Sequence, residues 1–318
     1  MAISTSTLIL FVIIYLAATF YVAYLGYRKN SQTEGYMLAG RGVHPAIMAL
    51  SYGAAFISTS AIIGFGGVAA SLGMGGLLWL VFMNIFFGIF IAFVVFGPPT
   101  RRMGLNLGAI TYPEFIGKRF QSKFIQAFSG ILIGIFMPLY AASVIIGAGR
   151  FLETSLGINY NIALIIFTII IASYVIKGGL LSVMYVDAMQ AILMLLGMGF
   201  LLVFTYVKLG GVVEAHQALT SMTNLVPQAL IDQGHRGWTS MPEAGSPPIW
   251  WNMISTIIMG VGIGVLAQPQ LAVRFMTVKD DRSLKRAVAV GGPFILMMAG
   301  VAYVIGLFRM CISTGLWA

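Results

Sequence analysis

Ser51-Tyr52-Gly53-Ala54-Ala55-Phe56-Ile57-Ser58-Thr59-Ser60, followed by Gly64, Gly66 and Gly67, is the stretch on which the reading of the fold turns. It lies inside an uncharged run, residues 45–70, that is long enough to cross a bilayer. A helix facing lipid throughout has no use for hydroxyls and glycines at its centre. Glycine weakens the helix, and hydroxyls compete for its backbone hydrogen bonds. Backbone that unwinds in hydrocarbon costs several kcal/mol per unsatisfied group unless it is buried or wet. Such a segment is therefore either packed closely on its neighbours or a broken helix lining a site. Composition alone weighs the two equally.

The rest of the chain has the same character. Of 318 residues, 8% are charged, against about 25% in an ordinary soluble protein, and 59% are hydrophobic. That little charge excludes a soluble enzyme, a disordered tail and a nucleic-acid binder. Glycine, at 38 residues, is abundant, as it is where membrane helices approach closely. The fold class expected is an all-α polytopic membrane protein. The net charge of +9 reads as cytoplasmic loops rather than as an anionic partner. A single cysteine, Cys311, permits no intrachain disulfide, and His44, His216 and His235 are too scattered for metal ligation.

Eight uncharged segments are long enough to span: 7–27, 45–70, 74–97, 124–149, 159–176, 188–207, 250–273 and 287–308. They are called spans 1 to 8 below. Span 1 is preceded by no base and followed by Arg28 and Lys29, the reverse of a secretory leader. It is expected to stay in the membrane with the N-terminus outside. Every Lys and Arg except Arg150, Lys208, Arg236 and Arg309 then falls inside, as the positive-inside rule requires. Residues 98–123 open with Pro98-Pro99, carry Thr111-Tyr112-Pro113-Glu114, and are expected to hold a short interfacial helix. Residues 208–249 form the longest loop, an outside cap broken before span 7 by Pro242, Pro247 and Pro248.

Span 7 repeats the signal of span 2. It reads Gly260-Val261-Gly262-Ile263-Gly264-Val265-Leu266-Ala267-Gln268-Pro269-Gln270, with a proline that removes an amide donor. Paired glycine- or proline-interrupted spans are the strongest sequence pointer to a transporter site. Their separation suggests a five-helix repeat, and an odd repeat must be inverted in the membrane. Freed carbonyls and hydroxyls are hard neutral ligands suited to a dehydrated Na⁺. A third feature, Lys177-Gly178-Gly179 through Asp187 to Gln190, joins spans 5 and 6. Asp187 is expected to begin span 6. It reads equally as a helix-terminal carboxylate or as a cytoplasmic waypoint for an exiting cation. Lys177 reads as a snorkelling anchor.

Four pieces then point to a family: the turn Tyr36-Met37-Leu38-Ala39-Gly40-Arg41, the centre of span 2, the Gly178-Gly179 to Gln190 stretch, and the run from Gln268 to Arg274 with Lys279 beyond. In this order they resemble the sodium/solute symporter family of proline, pantothenate, monocarboxylate and sugar carriers. The resemblance implies a single membrane domain, 1–318, with a LeuT-like inverted-repeat fold. Residues 7–27 would be an extra helix, 45–207 the first five-helix repeat, 208–249 an extracellular loop and 250–318 an incomplete second repeat. It implies sodium held by carbonyls at Ala54 and Ile57 and by hydroxyls of a ninth helix. The acid that some relatives carry at the position of Phe56 is missing. The solute positions implied on span 7 are Val261, Gly264 and Val265, smaller and more aliphatic than in sugar and proline carriers. Ser58, Thr59, Trp79 and Gln268 are the expected wall.

A sugar needs many paired hydroxyls, so a small organic acid is preferred, its carboxylate met by N–H groups at a half-helix end. The expected function is sodium-coupled symport into the cell by alternating access, across the plasma membrane. Its partners would be a small organic solute and the lipid bilayer, with no nucleic acid and sodium as coupling ion. The alternative is the membrane sensor domain of a symporter-like signalling protein. An intramembrane enzyme is disfavoured, because Asp187 has no evident catalytic partner in the sequence. Relatives continue for several more helices, whereas this chain stops at Gly315-Leu316-Trp317-Ala318. The expectation is an incomplete fragment that does not by itself catalyse coupled transport.

Overall fold

The computed structural model describes residues 5–29, 33–57, 60–83, 86, 90–245 and 248–313. Its helices are α1 (Thr5–Arg28), α2 (Thr33–Leu38), α3 (Pro45–Phe56), α4 (Phe65–Met83), α5 (Gly97–Asn106), α6 (Tyr112–Arg119) and α7 (Lys123–Leu156). They continue with α8 (Tyr160–Lys208), α9 (Val212–Ser221), α10 (Gln228–Ile231), α11 (Ile249–Asn252), α12 (Pro269–Phe275) and α13 (Asp281–Ser313). Five stretches are long and apolar enough to cross a membrane: Ile9–Arg28, Lys123–Leu156, Tyr160–Lys208, Ile249–Ala267 and Asp281–Arg309. Span 2 is built of shorter pieces, and span 3 is described only in part. The chain divides into two compact units: Met1–Ala55, Gly97–Ile192 and Pro269–Ala287 form the first, and Phe56–Phe96, Leu193–Gln268 and Val288–Ala318 the second.

In the first unit, α1 exposes apolar side chains such as Phe11, Ile13 and Tyr21, the pattern of a lipid-facing helix. It docks through small residues. A Cβ on Gly26 would stand 2.6 Å from the Cα of Ser182, so only glycine fits, and the Ser182 hydroxyl donates to the Ala23 carbonyl at 2.8 Å. The family-like turn is left-handed at Ala39, Gly40 and Arg41. Arg41 fastens it to Glu34 at 2.5 Å and to the Ala109 carbonyl at 2.8 Å.

One expectation is extended here and one corrected. Residues 98–123, expected to hold one short helix, carry two, α5 and α6. Pro98 and Pro99 sit in the first turn of α5, where a missing amide costs nothing. The link between spans 5 and 6 is not a loop. The chain is helical from Tyr160 to Lys208 apart from Gly179, whose φ of 61° and ψ of −163° suit glycine alone. An unbroken helix of 49 residues would be about twice as long as a bilayer is thick. Gly179 divides it into two runs, and the Tyr36 hydroxyl donates to the Ile176 carbonyl at 3.1 Å, beside the break. Asp187 therefore stands two turns inside a helix and not at its start. The helix-terminal reading of its carboxylate falls, because that effect fades beyond the first turn.

α6 starts as its sequence indicates. Thr111 caps it by accepting from the Glu114 N–H at 3.3 Å, Pro113 fills the first turn, and Glu114 accepts from the Ile110 N–H at 2.8 Å. The Ile110 N–H and the Lys118 ammonium at 2.6 Å hold the Glu114 carboxyl below its ordinary range. A lowered folded value means the contribution is complete above the ordinary glutamate range and disappears as pH falls through the lowered one. Thermal unfolding in detergent should therefore show Glu114→Gln less stable than wild type by about 0.5 kcal/mol at neutral pH. The gap should close as the pH falls through that lowered range.

The second unit packs residues of the 208–249 loop into a core. Ala215, Leu219, Met222, Val226 and Trp238 bury themselves with Leu307, Phe308 and Cys311 of α13. The Trp238 indole donates to the Met222 carbonyl at 3.0 Å, and the Trp238 carbonyl accepts from the Met74 N–H at 2.7 Å. Gly73 makes that approach possible, because a Cβ there would lie 2.9 Å from the Trp238 Cα. Gly66 in α4 faces Gly306 in α13, where a Cβ on Gly306 would be 2.5 Å from the Gly66 Cα. One of the three glycines closing the opening stretch is thus a packing glycine.

Candidate functional site

Span 2 loses its winding where its sequence suggests. α3 closes at Phe56, buried Ile57 lies in a bend, and a π-helical turn, Ser60–Gly64, precedes α4. The last four carbonyls of a helix have no partner within it, and Ala54 belongs to that turn of α3. Ile57 lies just beyond it. Both residues thus stand where the regular ladder of α3 ends.

Span 7 loses its winding more extensively. α11 passes into an eleven-residue π-helix, Met253–Ile263, and then a 3-10 turn, Gly264–Ala267. Gln268 is extended, with φ −67° and ψ 117°, before α12 begins at Pro269. The cause is local. Proline drives the residue before it out of the helical region, and its own missing amide is tolerated at the first position of the next helix. Long π-helical runs are rare and are concentrated at functional sites. In the second unit the π-helical part of span 7 packs on α4, and Gly264–Ala267 packs on a further π-turn of span 3, Ala92–Phe96.

In the first unit, the halves of spans 2 and 7 on the other side of each break are tied together. The Ser51 hydroxyl of α3 donates to Asp187 Oδ2 of α8 at 2.8 Å. Arg274 of α12 donates from Nη2 to the same oxygen at 2.9 Å, from Nε to Ser51 Oγ at 2.9 Å, and from Nη1 to the Gln270 carbonyl. The Arg274 side chain is 5% exposed and that of Asp187 16%, so water screens the pair weakly. Next to this clamp, buried Tyr52 stacks on Phe275 with ring centroids 5.3 Å apart. Among the described residues Asp187 Oδ1 accepts no hydrogen bond, which leaves one carboxylate oxygen for a further ligand.

The residues singled out from sequence fall as follows. Ala54 and Ile57 flank the end of α3. Asp187 is in the clamp. Val261 lies in the π-helix, Gly264 and buried Val265 in the 3-10 turn, and Gln268 is the break itself. Ser58 and Thr59 lie outside the described residues. Trp79 lies in α4, with its side chain outside them. Sequence reading missed Ser51 and Arg274 as partners of Asp187. One signal was available: an acid at the edge of span 6 and a base at the edge of span 7, and buried charges need partners.

The sequence profile of the sodium:solute symporter family matches residues 36–315. Among curated proteins, the high-affinity proline transporter PutP of Bacillus subtilis is 28% identical over 295 residues, covering 90% of this chain and 57% of PutP. The osmoregulated proline transporter OpuE of the same organism is 29% identical over 304 residues, covering 91% of this chain and 58% of OpuE. Among solved structures, a Na⁺-coupled sialic acid symporter in a substrate-bound outward-open state matches with a TM-score of 0.72 at 15% identity. That match covers 95% of this chain and 60% of the symporter, and it shows a shared LeuT-like fold. The chain spans under two thirds of the length of each of these relatives.

Proposed function

We propose that this chain, which belongs to the sodium:solute symporter family, supplies the broken-helix core of a sodium-coupled carrier that imports a small solute bearing a carboxylate. Its relatives are transporters and not enzymes. The observation that carries the reading is the double interruption, span 2 at Ile57 and span 7 at Gln268. Sodium would sit at the carbonyls of Ala54 and Ile57, whose neutrality suits a monovalent ion. The solute would lie against Val261, Gly264 and Val265, with Ser58, Thr59, Trp79 and Gln268 as wall.

With the N-terminus outside, the clamp lies on the cytoplasmic side of both breaks. Sodium leaving the cell-facing mouth would meet Asp187, and Arg274 would have to release that carboxylate for the path to open. One charge falling through ~100 mV supplies about 2.3 kcal/mol. That supports roughly 50-fold accumulation of solute, before the sodium gradient is added.

The solute class rests on size and charge. Val261, Gly264 and Val265 themselves offer no side-chain partner to the hydroxyls of a sugar. Small organic acids fit, and the names of the relatives add proline, which carries the same carboxylate. The test is uptake in proteoliposomes by the protein expressed from its natural reading frame, comparing radiolabelled L-proline, lactate and glucose. Saturable uptake of a carboxylate solute that needs a sodium gradient is expected. Uptake indifferent to sodium, or confined to glucose, overturns the proposal.

A further inference from the structure

A concave surface apart from both interrupted spans lies in the first unit. It is a groove of about 440 Å³ between α1 and α8. Near it, Gly26 packs closely on Ser182. Ala23 and Gly178 are too small to fill the space beside that contact and form its floor. Phe20, Tyr24 and Tyr27 of α1 form its wall, all exposed. Ser173 and Tyr174 of α8 complete the lining, so the groove is mainly apolar, with phenol groups towards the end of α1, as at a membrane–water interface.

That end is also cationic. Lys177 lines the groove, is exposed, and has no ion pair or hydrogen bond among the described residues. Arg28, next to Tyr27 in the chain, lies over the Tyr24 ring at 5.9 Å. Lys29 donates to the Tyr185 hydroxyl at 3.2 Å and faces that ring. Among the described residues all three cations meet only neutral groups. Two nearby acids in sequence are already engaged, Glu34 by Arg41 and Asp187 by Arg274.

An apolar trough with uncompensated positive charge at one end has the polarity of a single amphiphile. We infer that the groove binds an anionic phospholipid, with its phosphodiester on Lys177, headgroup oxygens at the tyrosine hydroxyls and an acyl chain along Phe20 and Ala23. A lysine that merely snorkels would serve any headgroup equally. A built site distinguishes charge at this position from charge elsewhere.

The test uses the full chain purified in detergent, with bound lipid counted by native mass spectrometry after exposure to equal phosphatidylglycerol and phosphatidylcholine. Wild type should retain phosphatidylglycerol with about fivefold preference, the scale of one interfacial lysine. Lys177→Gln should reduce the ratio to near one, and Lys177→Arg should restore it. Lys123→Gln, which removes another exposed and unpaired base, should leave it unchanged. Tyr27→Ala, which alters no charge, should lower phosphatidylglycerol retention by opening the wall. The proposal is overturned if Lys177→Gln keeps the preference, if Lys123→Gln removes as much of it, or if millimolar inorganic phosphate displaces the lipid. Circular dichroism of each variant confirms that the helices are intact, so loss of binding is not loss of fold.

Discussion

Arg274→Ala is expected to lower the unfolding free energy by about 3–5 kcal/mol, the cost of breaking a buried pair from one side. The size follows from what remains. Asp187 would keep only the Ser51 hydroxyl, at 2.8 Å, and its charge would stay in a setting that is 16% exposed. Ser51 would also lose its Nε donor, and the Gln270 carbonyl its guanidinium contact. Removing both charges together behaves differently. Asp187→Asn with Arg274→Gln replaces two desolvated ions by neutral hydrogen-bonding groups and should recover most of the loss, because the desolvation penalty goes with the charges. A double-mutant cycle read by thermal unfolding in detergent checks this. Additive losses, or a single-variant cost below about 1 kcal/mol, would show that the clamp is a surface-type ion pair. In a labelling assay the double variant has a second signature. α8 and α12 are no longer tied through opposite charges, so labelling of cysteines placed near Ser51, from the side proposed to be cytoplasmic, should rise.

How much of this was legible in the sequence depends on the range of the forces involved. Spans 1, 4, 7 and 8 coincide with long apolar helices and were legible because hydrocarbon demands continuous apolar runs. The break at Gln268 was legible because a proline acts on its immediate neighbour. The Thr111–Glu114 cap was readable for the same reason: all its partners lie within four residues. The clamp was not legible. Ser51 and Arg274 are 223 positions apart, and Arg274 and Asp187 are 87 apart, so no local pattern joins them. Gly179 was misread in an instructive way. The glycine pair looked like a loop, yet the good helix formers on both sides let the helix resume at once, with a single residue at positive φ carrying the turn. The glycines of span 2 divide by function in a way composition could not resolve. Gly66 serves a helix–helix contact, whereas a Cβ on Gly64 or Gly67 would meet nothing within 4 Å.

Pro269→Ala is expected to separate stability from transport, moving them in opposite directions. Alanine restores the amide that proline lacks and frees Gln268 from the steric pressure that holds it at ψ 117°. Span 7 can then wind through from Gly264 to Phe275, and the restored N–H at 269 can reach the carbonyl of Val265 in helical register. The Tm should rise by a few degrees, since one backbone hydrogen bond is gained at about 1 kcal/mol and a broken helix is repaired. Sodium-dependent solute uptake should fall more than tenfold, because the groups proposed to meet the solute at the half-helix end would be sealed into the ladder. That trade-off is what a strained, functional interruption predicts. A structural kink predicts the reverse, since a helix whose path depends on the proline would lose packing and stability once it is removed. Measuring Tm and sodium-driven uptake on the same preparation decides between them. A variant that is less stable and still transports would remove the break in span 7 from the mechanism.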